Sequence, residues 1–600
     1  MSAQMKVMEA PLRDPAESAQ VLARVAESSA RLMADFMKRH AEGKGMAFTD
    51  EFGVARAFME LWAELLANPW KLVDVQTKLF LDYATLWQRS WLRLMGHEVQ
   101  PVAEPSKGDR RFKDDDWQTH FVFDYLKQSY LIAARHLHET VSSAEHLSEE
   151  SRRKVDFFTR QYIDALSPSN FAHTNPQVLR ETLRSGGHNL LKGLANLLDD
   201  IERGRISMTD EAAFEVGRNV AGTPGKVVFQ TDLMQLIQYS PATGEVYRKP
   251  LLVIPPWINK YYILDLREDN SFVRWAVSQG HTVFMISWVN PDERLAEKTF
   301  DDYMFEGPLA ALDAIERATG EREANVIGYC LGGTLLGCVL AWMAAKNDHR
   351  FHAATFFTAL LDFSVPGELG VFIDEEQVQN LERRMSERGY LEGSDMAATF
   401  NILRANDLVW SFVINNYLLG REPFPFDLLF WNADSTRMPA KMHSFYLRNM
   451  YMKNALKDPG GITLGGVPID LRRIKVPAYF ISTAEDHISP WPSTYKGARL
   501  LGGPVRFVLG GSGHIAGIVN PPQAKKYGYW LNERMPETPE EWLAGATRND
   551  GSWWSDWQAW MHERNGEQMV PARVPGAGGL KPIEEAPGSY VRVTSRKERA

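Results

Sequence analysis

The stretch ANVIGYCLGGTLLGCVLAWMAA (324–345) decides how this chain is read. From Val326 to Ala345 it carries no charge, and its length would suffice for a membrane span. Gly328, Gly332 and Gly333 sit in its first half, around Cys330, and interrupt any continuous helix. A short apolar strand, a sharp turn and a buried helix fit the pattern better. Glycines two before and two after Cys330 permit a strained, tight turn with close strand–helix approach. That arrangement is a nucleophile elbow, with Cys where Ser is usual. The Cys330 thiol would stand clear of the sheet at a helix N-terminus, where the helix dipole favours a thiolate. Cys338, apolar-flanked in mid-helix, reads as core. The chain has only these two cysteines. Eight residues of helix separate them by about 12 Å, too far for a bridge. Two free thiols fit a reducing cytoplasm.

Outward from this stretch, short β-rich runs bounded by turn residues fill the region beyond about residue 221. They are KVVFQTD, LMQLIQYSP, PLLVIPPW (250–257), HTVFMISW (281–288), HAATFFTALLDF (352–363), VPAYFISTAED (476–486) and VRFVLGGSGH (505–514). Several are continuously apolar, as strands buried on both faces are. Helical stretches such as DYMFEGPLAALDAIERATG separate some of them, which predicts a mostly parallel sheet with right-handed crossovers. The KVVF and LMQLIQY runs predict an antiparallel edge. With the elbow, this is an α/β-hydrolase fold. Residues 364–475 are helical and aromatic, and predict a cap over the carboxyl edge of the sheet. Residues 571–600 read as a surface-hugging or loose tail. Upstream, apolar residues at three- and four-residue steps predict an all-helical N-terminal domain. The expected division is 1–200 helical and 201–600 catalytic, with the cap at about 364–475. Trp62, Trp70, Trp87 and Trp91 read as helix-packing aromatics. Asp114, Asp115 and Asp116 read as a solvated turn, and His136 and His138 as structural.

An elbow nucleophile needs a base, and the base an orienting acid, in the chain order nucleophile, acid, His. Asp486 follows the strand VPAYFIS and His514 follows VRFVL. His514 is preferred to His487, whose side chain should diverge from its neighbour Asp486. Asp486 is preferred to Glu485. An oxyanion hole needs two backbone N–H groups. Leu331, just after the nucleophile, supplies one. The loop Pro255-Pro256-Trp257-Ile258-Asn259 supplies the other through Trp257 or Ile258, because the prolines have no N–H.

The 600 residues carry 67 basic and 76 acidic side chains, a net charge of −9. That excludes a general nucleic-acid binder. The start, MSAQMKVMEAPLRDPAES, lacks the apolar core of a secretory signal. No metal is expected, since no Cys/His ligand cluster occurs, and no dinucleotide glycine fingerprint appears.

Several longer stretches carry a resemblance: DRRFKDDDW with QSYLIAARHL, DEAAFEVGRNVA, PLLVIPPWINKYYILDL, GYCLGG, LRANDLVW, PFDLLFWNADSTRMP, EDHISPW and GSGHIAGIVNPP. Over nearly its whole length the chain resembles the class I polyhydroxyalkanoate synthases, which polymerise 3-hydroxyacyl-CoA into storage polyester. The resemblance places the family's catalytic Cys, Asp and His on Cys330, Asp486 and His514, and a family tryptophan on Trp431. It implies a 3-hydroxyacyl-CoA substrate (3-hydroxybutyryl-CoA among the short-chain ones), with coenzyme A part of the substrate and a product, and no separate cofactor. It further implies a homodimer in the cytoplasm, at the surface of polyester granules and in contact with granule-associated proteins. The competing expectations are a thioesterase- or depolymerase-type hydrolase on the same fold and a non-catalytic granule-surface protein.

Overall fold

The computed structural model describes residues 53–594. The chain divides into two compact units, one of residues up to Asp210 together with Phe400–Phe424, the other of Glu211–Thr399 and Pro425 onward. Residues 1–52 of the expected N-terminal domain lie outside the described residues.

The first unit is helical: α1 (Val54–Ala67), α2 (Pro69–Leu94), α3 (Phe121–Ser142), α4 (Glu149–Ala165), α5 (Pro176–Ser185) and α6 (His188–Arg203). Local chemistry marks the helix ends. Ser148 accepts from the Ser151 N–H at the start of α4, and Asn175 caps α5, which ends at Gly186 in the left-handed conformation. Ala57, Leu61 and Leu65 of α1 bury one face against Val141, Ala144, Leu147 and Val155. The four tryptophans are not packing residues. Trp70 is 82% exposed, and Trp62, Trp87 and Trp91 are each more than half exposed. On α2 the buried positions are Leu86 and Ser90, while Trp70, Val73, Phe80, Trp87 and Trp91 form a separate exposed stripe. The aspartate run is not merely solvated either, since Arg180 pairs with both Asp114 and Asp116. His136 is structural, its Nε2 2.6 Å from Asp82 Oδ2.

Part of the expected cap belongs to this unit. Segment 400–424 packs on α6, where Gly193 leaves room for the Tyr417 backbone. Asn189 Nδ2 donates to the Leu418 carbonyl at 2.8 Å, and the Tyr417 hydroxyl to Asp200 at 2.6 Å.

The second unit is built on an eleven-stranded sheet. Its strands are β1 (Gly225–Gln230), β2 (Met234–Tyr239), β3 (Leu251–Ile254), β4 (Val283–Trp288), β5 (Ala324–Tyr329), β6 (Phe351–Phe357), β7 (Ala478–Thr483), β8 (Val505–Gly510), β9 (Tyr529–Leu531), β10 (Thr547–Asn549) and β11 (Glu584–Glu585). The spatial order is β10-β9-β8-β7-β6-β5-β3-β4-β2-β1-β11. The strands from β4 to β8 run parallel, and antiparallel pairs flank them on both sides. The β1–β2 hairpin is antiparallel as expected, but β11, from the presumed tail, covers its outer edge. The central strands alternate between two cores. Leu252, Ile254, Phe284, Val326, Phe356 and Phe480 face one, and Leu251, Val253, Met285, Ile327, Phe357 and Ile481 the other. Burial on both faces explains their near-continuous apolar composition.

The stretch 324–345 resolves as β5, a turn, and helix α7 (Leu331–Ala345). Among the described residues no helix is long and apolar enough to cross a membrane. The cap segments within this unit are mostly helical, including α8 (Glu375–Arg388) and α9 (Ala440–Tyr446).

Candidate active site

Cys330 sits between β5 and α7 with φ 51° and ψ −118°. A non-glycine residue there stores roughly 1–3 kcal/mol of strain, which the surrounding structure must hold in place. Its N–H donates to the Phe357 carbonyl at 2.8 Å, tying the turn to the end of β6. The glycines make the turn possible. A Cβ on Gly332 would stand 2.7 Å from the Pro255 carbonyl oxygen, and one on Gly333 2.9 Å from that of Gly328. Strand β3, strand β5 and the first turn of α7 therefore meet at backbone contact. The thiol is half-buried. Cys338 is fully buried, and burial pushes its thiol far above the ordinary range, as suits a core residue.

Asp486 and His514 come from the loops after β7 and β8. His514 Nδ1 lies 2.7 Å from Asp486 Oδ2. The other carboxylate oxygen accepts from the Ile488 and Ser489 N–H groups at 2.9 and 2.8 Å. Asp486 is thus held for His514 and not for its sequence neighbour His487. Glu485 is exposed. Cys330 is among the groups that act on the His514 ring. The Tyr329 ring stacks on that imidazole, and its hydroxyl donates to the His514 carbonyl at 3.2 Å. Burial pulls the His514 pKa down, but the Asp486 carboxylate and then Cys330 outweigh it and raise it to about 10. The imidazole is therefore held as a cation.

The loop carrying Trp257 and Ile258 follows β3 directly and is pinned from residues 431–436. Trp431 Nε1 donates to the Lys260 carbonyl at 2.7 Å. The Thr436 N–H donates to the Ile258 carbonyl at 3.3 Å, and its hydroxyl to that of Trp257. With both carbonyls occupied, the loop leaves from the Ile254 and Pro255 carbonyls, which lie against Gly332 in the first turn of α7. The aromatic run PFDLLFW, whose role spacing alone leaves open, thus supplies an anchor for it.

Two residues not singled out from sequence, Tyr446 and Tyr451, pack on each other and on Phe363, in the chain that leaves β6. Burial pushes both phenols above their usual range. Their spacing of five matches no α-helical face, so periodicity gives no signal for them. Among the described residues no group of His, Cys, Asp and Glu could hold a metal ion.

Comparison with known proteins fits this geometry. Residues 108–276 match the family described as "Poly-beta-hydroxybutyrate polymerase (PhaC) N-terminus", and residues 257–521 match the alpha/beta hydrolase fold. A "Poly(3-hydroxyalkanoate) polymerase" of Methylorubrum extorquens is 50% identical over 539 residues, 89% of this chain and 88% of that one. A "Poly(3-hydroxyalkanoate) polymerase subunit PhaC" of Rhizobium meliloti is 47% identical, covering 97% of this chain and 96% of its own. The Cupriavidus necator protein of the same name is 44% identical over 87% of this chain and 89% of its own length. Likeness of this degree extends through both units, and with it the chain belongs to the poly(3-hydroxyalkanoate) polymerase family.

Proposed function

We propose that this chain polymerises 3-hydroxyacyl-CoA into polyester through an acyl group carried on Cys330. The observation that carries the reading is the Cys330–His514–Asp486 array at a strained elbow. The Cys330 thiolate attacks the thioester carbonyl. The oxyanion that forms is held by the Leu331 N–H and by that of Trp257 or Ile258. Coenzyme A leaves as its thiol with the proton from His514, and a 3-hydroxyacyl thioester remains on Sγ. The hydroxyl of a second acyl group then attacks a thioester carbonyl and gives up its proton, His514 or Asp486 serving as acceptor. One ester bond forms and one thiol is released. Exchange between thioesters is nearly balanced, so a Cys-bound acyl group stays a good donor where a Ser ester would not. Coenzyme A enters in the substrate and leaves as product, so this chemistry calls for no resident cofactor.

The same proposal places the enzyme at a polyester granule surface in the cytoplasm, as a homodimer. The exposed stripe of Trp70, Val73, Phe80, Trp87 and Trp91 supports an apolar contact of that kind.

The test is incubation with 3-hydroxybutyryl-CoA, following free thiol and turbidity together. Cys330→Ala is expected to abolish both signals, and Cys338→Ala to leave both nearly intact. Substantial polymer from the Cys330 variant would sink the reading.

A further inference from the structure

The carboxylate that faces His514 is gripped by two consecutive peptides of its own loop, the one after β7. Asp486 Oδ1 accepts from the Ile488 N–H at 2.9 Å and from the Ser489 N–H at 2.8 Å. Both peptides are trans and planar, so each carbonyl points away from its N–H. The Ile488 N–H shares a peptide with the His487 carbonyl, and the Ser489 N–H with the Ile488 carbonyl. Both carbonyls therefore point away from Asp486, and both lie against Gly367. A Cβ on Gly367 would stand 2.8 Å from the Ile488 oxygen and 3.2 Å from the His487 carbonyl carbon, with the His487 oxygen closer still. The Glu368 N–H donates to the His487 carbonyl at 3.1 Å. The two peptides are thus held between the Asp486 carboxylate on one edge and the start of the cap on the other.

Local chemistry at the start of the cap suits this seat. Gly367 has φ 69° and ψ −166°, a conformation essentially confined to glycine, and it opens the 3₁₀ turn Glu368–Phe372. Its backbone and the space at its Cβ position make the same demand. Two residues earlier, the Val365 carbonyl accepts from the Ser493 hydroxyl at 2.9 Å. Ser493 is fully buried and lies in the first turn of the helix Trp491–Ala498, a few residues after Asp486. Segment 365–368 is tied at both ends to the chain that carries Asp486. The bond from Glu368 also polarises the 487–488 peptide, which strengthens the N–H that this peptide turns to Asp486.

We propose that Gly367 is a positioning residue: it seats the start of the cap on the loop after β7 and, through the 487–488 and 488–489 peptides, fixes Asp486 against His514. The inference deepens the acyl-transfer reading and rests on it. Asp486 Oδ2 lies 2.7 Å from His514 Nδ1, so a loop pushed off Gly367 carries the carboxylate with it and disturbs that contact. The charged and titratable groups that act on His514 are Asp486 and Cys330, and the Tyr329 ring stacks on it. Burial lowers the His514 pKa and the carboxylate is the largest influence raising it, so loosening Asp486 lowers it. A shift in the first turn of the cap reaches the imidazole without touching it.

The experiment follows kcat/KM for release of coenzyme A from 3-hydroxybutyryl-CoA against pH, using the full chain. Gly367→Ala should move the alkaline limb down by about one pH unit, the lower end of what an adjacent opposite charge contributes. Gly389→Ala is the comparison. That glycine is also left-handed, at φ 84°, but its Cβ would meet Ala296, 2.9 Å from Cβ, and Glu293. It should lower the unfolding temperature and leave the limb in place. Ser493→Ala, which releases the Val365 carbonyl, should move the limb in the same direction by less, and it supplies the measurement if Gly367→Ala does not fold. A limb unmoved in the variant so measured, or moved equally by Gly389→Ala, would overturn the assignment. Failure of the underlying reading looks different: mass spectrometry would then find no acyl group on Cys330 in the unaltered chain.

Discussion

Replacing Gly332 by Ala tests whether backbone contact between β3 and α7 sets the site. Gly332 lies in the first turn of α7, where Ala is the better helix former by about 1 kcal/mol, so any loss has to be steric. The added Cβ would stand 2.7 Å from the Pro255 carbonyl oxygen and 2.9 Å from the Ile254 carbonyl carbon, with the Ile254 oxygen closer still. These are backbone atoms at the end of a central strand, and no rotamer relieves them. One side must retreat by on the order of 1 Å, at an overpacking cost of roughly 1–3 kcal/mol. If α7 moves, Cys330 and the Leu331 N–H go with it. If the loop moves, Trp257 and Ile258 do. Either way the two sides of the proposed oxyanion hole part, and a misplacement of that size costs about a hundredfold in rate.

The assay is initial coenzyme A release from 3-hydroxybutyryl-CoA, with thermal unfolding measured on the same sample. Gly337→Ala is the control: it lies in the same helix, and the atoms nearest its Cβ would be those of the Leu361 side chain, 2.5 Å at Cδ2, which can turn away. Gly332→Ala should lose about a hundredfold in kcat/KM, while Gly337→Ala stays within a few-fold. A folded Gly332→Ala enzyme at full rate, or a Gly337→Ala enzyme equally impaired, would refute the reasoning.

The raised His514 pKa predicts an alkaline limb in kcat/KM near pH 10. Asp486→Asn should move that limb to lower pH, because the carboxylate is the largest raising influence; a limb that stays in place would break the link. The same shift predicts that His514 contributes stability fully below about pH 6.5, its ordinary value, and that this contribution is lost as pH rises through about 10. Thermal scans of the unaltered chain across that window, against Asp486→Asn, would read it. Changing Trp70, Trp87 and Trp91 together to Gln removes exposed apolar surface and little core, so unfolding stability should shift by no more than about 1 kcal/mol. Sedimentation with polyester granules should fall sharply while release of coenzyme A in free solution persists. Unchanged sedimentation would remove the stripe from the granule contact.

The central sheet was legible because its strands are buried on both faces, which forces runs such as LLVI and VFMISW. The elbow was legible for a related reason: backbone contact at Gly328, Gly332 and Gly333 excludes every other side chain, so chemistry and steric need are written in the same six residues. Asp486 and His514 followed from their places after late strands. The edge strands β9, β10 and β11 were not legible. Each is two or three residues long and partly exposed, so neither alternation nor an apolar run marks them.

Exposure of the N-terminal tryptophans fails to appear in the sequence for a different physical reason. Periodicity reports that a helix has an apolar face, and says nothing of what meets that face. Helix α2 has two such faces at different angles. One, through Leu86, is buried within the helical unit, and the other, through Trp70, Phe80, Trp87 and Trp91, is not. A pattern average cannot separate them, because both raise the same signal. The tyrosine pair shows the converse. Tyr446 and Tyr451 share a face only because the backbone widens into a π-turn between them, and a reading that assumes 3.6 residues per turn places them apart. What remains hidden in the sequence is therefore of two kinds: surfaces whose partner is another molecule, and side chains brought together by a departure from regular helix geometry. The elbow escapes both, because its irregularity demands glycine, and glycine is visible.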